Sequence, residues 1–278
     1  MRCRKEVSVA SIADAARHAL PGRFERPSAL GFLLYALGIA MVVCAVDGSG
    51  WSFSELVSSL PSLADFFSRS WPPSTERLPT LSLSMIETFQ MAVSGTLTGV
   101  ILALPLSILA ARGLTGSRIF GSAARGIFAL FRTVPDLVWA LIFVIAVGLG
   151  PFAGTLAIAI DTAGFAGRFF AESMEDADKG PADALRAQGV RRSDAIFCSI
   201  IPAAMPSFIT TSLFALEKAV RSSVILGLVG AGGIGLELKV AMDMFDYQMA
   251  MTIILMIFAL VLFVEQAGSF ARKRIIEG

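Results

Sequence analysis

Six stretches of this 278-residue chain are apolar almost without interruption: residues 29–46, 81–111, 137–149, 152–166, 201–229 and 247–264. Between them the chain turns polar and charged. Runs that are hydrophobic all round, rather than on one face, fit helices surrounded by lipid or by other helices. Only helices and closed barrels satisfy every backbone group there. The first run, at roughly 1.5 Å per residue, is about long enough for the hydrocarbon core. The pattern therefore predicts an all-α integral membrane protein with six transmembrane helices. The third and fourth runs are short, so each is expected to continue past its apolar part or to tilt. Residues 53–67 read as an amphipathic helix at the membrane surface, with Trp51 and Trp71 at headgroup depth. Residues 8–20 allow a second such helix.

Local signals refine these elements. Gly95 and Gly99 form a face of small residues, four apart, on which another helix can approach closely. Val134-Pro135-Asp136 is a helix start, with proline in the first turn and a carboxylate favoured by the helix dipole. Gly148-Leu-Gly150-Pro151 is a tight turn. Residues 183–202 form part of a polar island starting near Arg168: an amphipathic helix, a stop at Gly189, a second short helix, and Pro202 opening the next span. Such an island is what a membrane protein would present to a soluble partner.

Composition agrees with this picture. Only 16% of residues are charged and 55% are hydrophobic, with a mean hydropathy of +0.72, against about a quarter charged in a soluble domain. The net charge of +1 supports no nucleic-acid partner. Lys and Arg are unevenly placed. Eighteen of the 23 lie in residues 1–28, the 112–132 segment, the island and the last residues. Only Arg69, Arg77 and Lys239 fall in the alternate connections, and Lys218 and Arg221 lie inside a span. The positive-inside rule then puts both termini and the island in the cytoplasm. Residues 1–28 become a cytoplasmic tail, 29–80 a first transmembrane helix with an external loop, 81–270 the core, with the island at 168–200, and 271–278 a second tail. The apolar run after residue 28 starts too late for a cleaved signal peptide and reads as a retained span.

Candidate chemistry is sparse. The lone histidine, His18, and the scattered Cys3, Cys44 and Cys198 offer neither a catalytic dyad nor a metal site. No phosphate-binding G-x-x-x-x-G-K-[ST] loop occurs. Gly230-Ala-Gly232-Gly233-Ile-Gly235 matches G-x-G-x-x-G in form, but a membrane span follows where a soluble βαβ unit would be needed. A glycine break between helices, possible at membrane depth against protein or water, fits better. Glu217, Lys218 and Arg221 stand out because charge inside a span is costly and marks a cavity, partner or pathway. Glu217 and Arg221, spaced i and i+4, could equally neutralise each other on one helix face. Arg221 is the better candidate for the route of an anion. Glu87 and Asp161 are weaker candidates: Glu87 is near a span end, and Asp161 could simply hydrogen-bond a neighbouring helix.

The island resembles the cytoplasmic coupling loop of ABC-importer permeases, E-A-A-x3-G-x9-I-x-L-P. Asp183 stands at the glutamate, Ala184 and Leu185 at the alanines, Gly189 at the glycine, and Ser199, Ile201 and Pro202 at the last three positions. The 132–144 segment, Val147-Gly-Leu-Gly-Pro-Phe-Ala-Gly154 and the 220–235 segment together resemble the permease of phosphonate importers, while the glycine motif is shared with methionine-importer permeases. The resemblance implies a type I importer permease fold with a cytoplasmic coupling helix, and a homodimer in the cell membrane. It further implies cytoplasmic ATPase subunits that hold the ATP and Mg, docked on Asp183, Ala184, Leu185, Arg186, Gly189 and Pro202. An extracytoplasmic solute-binding protein would deliver a small anion such as phosphonate, phosphite, phosphate or a phosphate ester. Glu217, Arg221, Gly230, Gly232, Gly233, Gly235, Glu87, Arg132 and Asp136 would line its path or gate. No cofactor is implied for this chain itself. Within the transporter class, the permease of a methionine-type or other small-solute importer is the alternative; a standalone secondary transporter or channel is the alternative of another class, and a membrane scaffold that transports nothing is a third.

Overall fold

A computed structural model describes residues 28–50, 52–114 and 117–277. The 8–20 segment, His18, Cys3 and Trp51 lie outside the described residues. The chain divides into two compact units, residues 1–63 and 64–278. In the first, α1 (Ala29–Gly48) starts at Ser28, whose Oγ accepts from the Gly31 N–H at 3.2 Å, capping one of the free donors of the first turn. None of the 20 residues of α1 is buried. The boundary between the units falls inside α2 (Phe53–Ser70).

The second unit is built around one enclosed helix. Following α3 (Leu78–Ala110), α4 (Arg118–Thr133) and α5 (Asp136–Val147), α6 spans Pro151–Asp176, and 13 of its 26 residues are buried. Helices without a hydrophobic force between them in lipid associate through small residues that bring backbones together, and α6 does so on several sides. A Cβ on Gly99 of α3 would stand 2.6 Å from the Ala159 carbonyl oxygen, and one on Gly95 would stand 2.7 Å from Ile158 Cγ2. On the α4 side, Gly164 and Gly167 leave room for Phe131 and Phe128. Phe170 of α6 meets Phe208 with ring centroids 4.5 Å apart.

Proline sets the corner before α5. Pro135 lacks an N–H and drives Val134 into extended backbone (φ −84°, ψ 121°), and α4 and α5 meet there at 91°. With 12 residues, α5 reaches only about 18 Å. The span expected at 137–149 is therefore not a helix crossing alone but the shorter arm of a bent pair. Among the described residues, four helices are long and apolar enough to cross a membrane, or five if the bent pair is one span. The run expected at 152–166 lies in α6. Its small residues and its Asp161 and Arg168 lower its apolarity, and half of α6 is buried against other helices.

Beyond α6 come α7 (Gly180–Ala187), α8 (Arg192–Ala195), α9 (Ile201–Leu226), α10 (Gly233–Asp243) and α11 (Tyr247–Glu277). A second short helix separated from the next span was expected. Instead α8 passes through a π turn at Ile196–Ile200 straight into α9. Pro202 cannot donate to the carbonyl of Cys198, and its ring crowds that group. The wider π turn, placed just before it, accommodates both.

Candidate functional site

The first half of the island, α7 and its glycine stop, folds as its sequence dictates. α7 ends at Gly189, whose φ of +85° suits glycine. Gly189 N–H donates to Arg186 O at 3.0 Å and Val190 N–H to Leu185 O at 3.2 Å, the paired bonds that close a helix over a left-handed residue. Asp183 and Arg186 are exposed and 3.5 Å apart, with Ala184 exposed and Leu185 half-buried beside them. The anchor is Ala182, only 6% exposed, which packs with Leu114, Ile196 and Ile200 in the cluster that also contains Phe170 and Phe208. Arg192 Nη2 donates to the Gly113 carbonyl. Pro202 is on α9, past the π turn, and is not brought into the Asp183–Gly189 surface.

The glycine motif is a break where the chain doubles back. Gly230, Gly232 and Gly233 have φ of +96°, +82° and +70°, and a Cβ on Gly235 would lie 2.1 Å from the Val224 carbonyl oxygen. Thr88 Oγ1 accepts from the Ile234 N–H at 2.7 Å, tying the first turn of α10 to α3. Next to it, Glu87 Oε1 would be 3.1 Å from a Cβ on Gly232. Gly150 N–H donates to the Gly230 carbonyl at 3.0 Å, so the α5–α6 turn joins the same assembly. Arg132 and Asp136 lie apart from it, on either side of the α4–α5 corner. Asp136 Oδ1 accepts from the Leu137 N–H at 2.9 Å.

The charges of α9 part company. Glu217 does not pair with Arg221. Its Oε1 accepts from Arg272 Nη1 of α11 at 2.5 Å, the side chains being 9% and 15% exposed. Gly268 brings α11 close enough for this contact, and the guanidinium carbon of Arg272 lies 4.2 Å from the Phe214 ring centroid. Glu217 points towards α11 while Arg221, one turn on, is exposed, so i and i+4 spacing does not make them partners. Lys218 instead reaches Asp161 of α6, with Nζ 2.8 Å from each carboxylate oxygen. Lys218 also sits 5.5 Å from the Phe165 ring centroid. A groove of about 520 Å³ lies on this α6–α9 face, lined in part by Phe165, Thr210, Thr211 and Phe214. The Lys218–Asp161 pair was not foreseen, because the two residues stand 57 positions apart.

The sequence pattern shared by inner-membrane components of binding-protein-dependent transport systems matches residues 103–275, which include the island, the charged α9 and the glycine break. The chain belongs to this family. HtxC of Stutzerimonas stutzeri is 37% identical over 87% of this chain and 83% of its own length. The phosphite transport system permease protein PtxC of the same organism is 32% identical over 88% of each. The phosphate-import permease protein PhnE of Mycolicibacterium smegmatis is 35% identical over 76% of this chain and 40% of its own. The membrane chain of the MetNI methionine ABC transporter in an inward-facing conformation superposes with a TM-score of 0.64. It is 20% identical and covers 73% of this chain and 99% of the other. As a member of this family the chain is a membrane component of transport and not an enzyme, and it has the all-α importer permease fold.

Proposed function

We propose that this chain is the translocating permease of an ATP-driven importer for a phosphorus oxyanion such as phosphonate, phosphite, phosphate or a phosphate ester. It works as a pair of identical copies, with its termini and α7 in the cytoplasm. The observation that carries the substrate class is the α6–α9 face. Lys218 stands there against the carboxylate of Asp161, Arg221 follows three residues on along α9 with its side chain exposed, and Glu217 is held elsewhere by Arg272. Fixed positive charge in a span is what an anion's route requires, and relatives named for phosphite and phosphate point to the same class. The second copy stands opposite this face. Arg221 and Lys218 meet the solute, the glycine break with Glu87 forms the gate, and Arg132 and Asp136 line the way near the corner.

A cytoplasmic ATPase, which holds the ATP and Mg, seats on Asp183–Gly189. Ala182 then passes the movement of α7 into the cluster of Phe170 and Phe208. A solute-binding protein delivers the anion on the outer side, near the glycine break. In proteoliposomes with the ATPase, binding protein loaded with phosphonate or phosphite should stimulate ATP hydrolysis. Stimulation by methionine-loaded protein alone would discard the substrate class. Transport by this chain alone, driven by an ion gradient, would discard the importer.

A further inference from the structure

Four arginines converge on a second site, away from the α6–α9 face. A cavity of about 330 Å³ is lined by Arg112 after α3, by Arg125 and Arg132 of α4, and by Arg168, Glu172 and Glu175 of α6. The spacing builds it. Residues 125 and 132 on α4 are seven apart, as are 168 and 175 on α6 with 172 between, so each helix presents a single stripe. The stripes are brought together where α4 seats on α6. A Cβ on Gly167 would lie 2.3 Å from the Phe128 ring, and one on Gly164 would lie 2.7 Å from Phe131 Cβ.

The carboxylates here are already engaged. Arg168 Nε donates to Glu172 Oε1 at 2.7 Å, and Glu175 Oε1 accepts from the backbone N–H of Arg112 at 2.6 Å. Arg125 Nη1 donates to the Ala110 carbonyl at 2.7 Å, closing one end of the cavity. Four guanidiniums thus face two carboxylates. Among the described residues, the side chains of Arg112 and Arg132 have no ion-pair partner. Unpaired like charges around a concavity repel one another unless an anion joins them. The planar fork of arginine matches a tetrahedral oxyanion better than any other side chain does.

We propose that this cavity binds a phosphate-class oxyanion, either free phosphate or the headgroup of an anionic phospholipid, held by Arg112 and Arg132. Bound there, the anion fastens the end of α3 and the body of α4 to α6. That is next to Gly113, whose carbonyl accepts from Arg192 at the start of the α8–α9 run. The site shares Arg132 with the proposed solute route but neither Lys218 nor Arg221, and it stands whether or not that route is correct.

The test uses the full-length chain in nanodiscs. In phosphatidylcholine discs, inorganic phosphate is titrated at constant ionic strength while the unfolding midpoint is followed. A saturable rise is expected for the parent protein. Arg112→Gln and Arg132→Gln should each raise the phosphate concentration for half effect roughly tenfold. Lys239→Gln, which removes an exposed cation of α10 outside this cavity and outside the proposed solute route, should leave it unchanged. In phosphatidylglycerol discs without phosphate, native mass spectrometry counts retained lipids. Retention lost in the same two arginine variants identifies the headgroup as the source. Absence of both responses overturns the proposal, as does a phosphate response abolished by Lys218→Gln but kept by both arginine variants. If Arg132→Gln fails to accumulate, Arg132→Lys, which keeps the charge and loses the fork, supplies the readout.

Discussion

Lys218 of α9 holds both carboxylate oxygens of Asp161 of α6 at 2.8 Å, so two helices of the second unit are joined by a charge pair along their length. Lysine is 43% exposed and aspartate 15%, which leaves the cation partly open while the carboxylate stays sheltered. Removing only the cation strands a sheltered carboxylate. Lys218→Gln should therefore destabilise the protein by about 1–3 kcal/mol, the lower half applying because lysine is partly solvated. Asp161→Asn combined with Lys218→Gln should recover most of that loss without restoring transport. Thermal unfolding and solute uptake, measured on the same preparations, separate the two effects.

The Glu217–Arg272 pair is more deeply enclosed, and its loss should be purely structural. Glu217→Gln leaves a mostly enclosed guanidinium without its counter-charge and should cost up to roughly 3–5 kcal/mol. Arg221→Gln should leave the unfolding midpoint almost unchanged. Equal destabilisation by both substitutions would instead mean that Glu217 and Arg221 are partners.

Gly99 tests the approach of α3 to α6. Gly99→Val places methyl groups where the Ala159 carbonyl oxygen already lies 2.6 Å from a Cβ, so the helices must separate. A loss of at least about 1–3 kcal/mol follows from overpacking. It should be visible as a sharp drop in folded protein recovered from the membrane. The exposed Gly126, with open space around it, should accept alanine without such a drop.

Asp183→Ala should leave stability within about 0.5 kcal/mol of the parent, because the side chain is exposed and its contact with Arg186 is long. Stimulated ATP hydrolysis by the assembled complex should fall. Ala182→Leu should behave oppositely, disturbing the packing of α7 on the bundle before any docking occurs. Pull-down of the ATPase beside the unfolding midpoint distinguishes the two.

Much of this architecture could be read from residues whose backbone demands are local. Gly189 stops α7, Pro135 turns the chain, and the glycines at 230–235 break it, because each restricts or frees φ at its own position. The spacing of Gly95 and Gly99 likewise announced a close helix contact, though not that α6 would supply it. What stayed hidden depends on distant partners. Arg272 stands 55 residues from Glu217, and nothing nearby in the chain distinguishes it from Lys273 or Arg274. The enclosed position of α6 was also missed, since alanine and glycine lower apolarity whether a helix meets lipid or protein. Pro202 lies in the first turn of α9, as its reading as the opening of a span requires; what stayed hidden is the π turn that joins α8 to it without a gap.

That π turn fixes an angular phase. Each π turn takes in one residue more than an α turn, which rotates everything beyond it by about 100° about the axis relative to an uninterrupted helix. Arg192 and Ala195 are therefore out of step with Lys218 and Arg221 by that amount, and heptad counting across Ile196–Ile200 assigns faces wrongly. If the turn were to tighten into α geometry with Pro202 in place, the segment bearing Arg192 would swing through a quarter-circle while α9 stood still. Such a screw converts a small change in winding at the membrane surface into a large reorientation of the polar island.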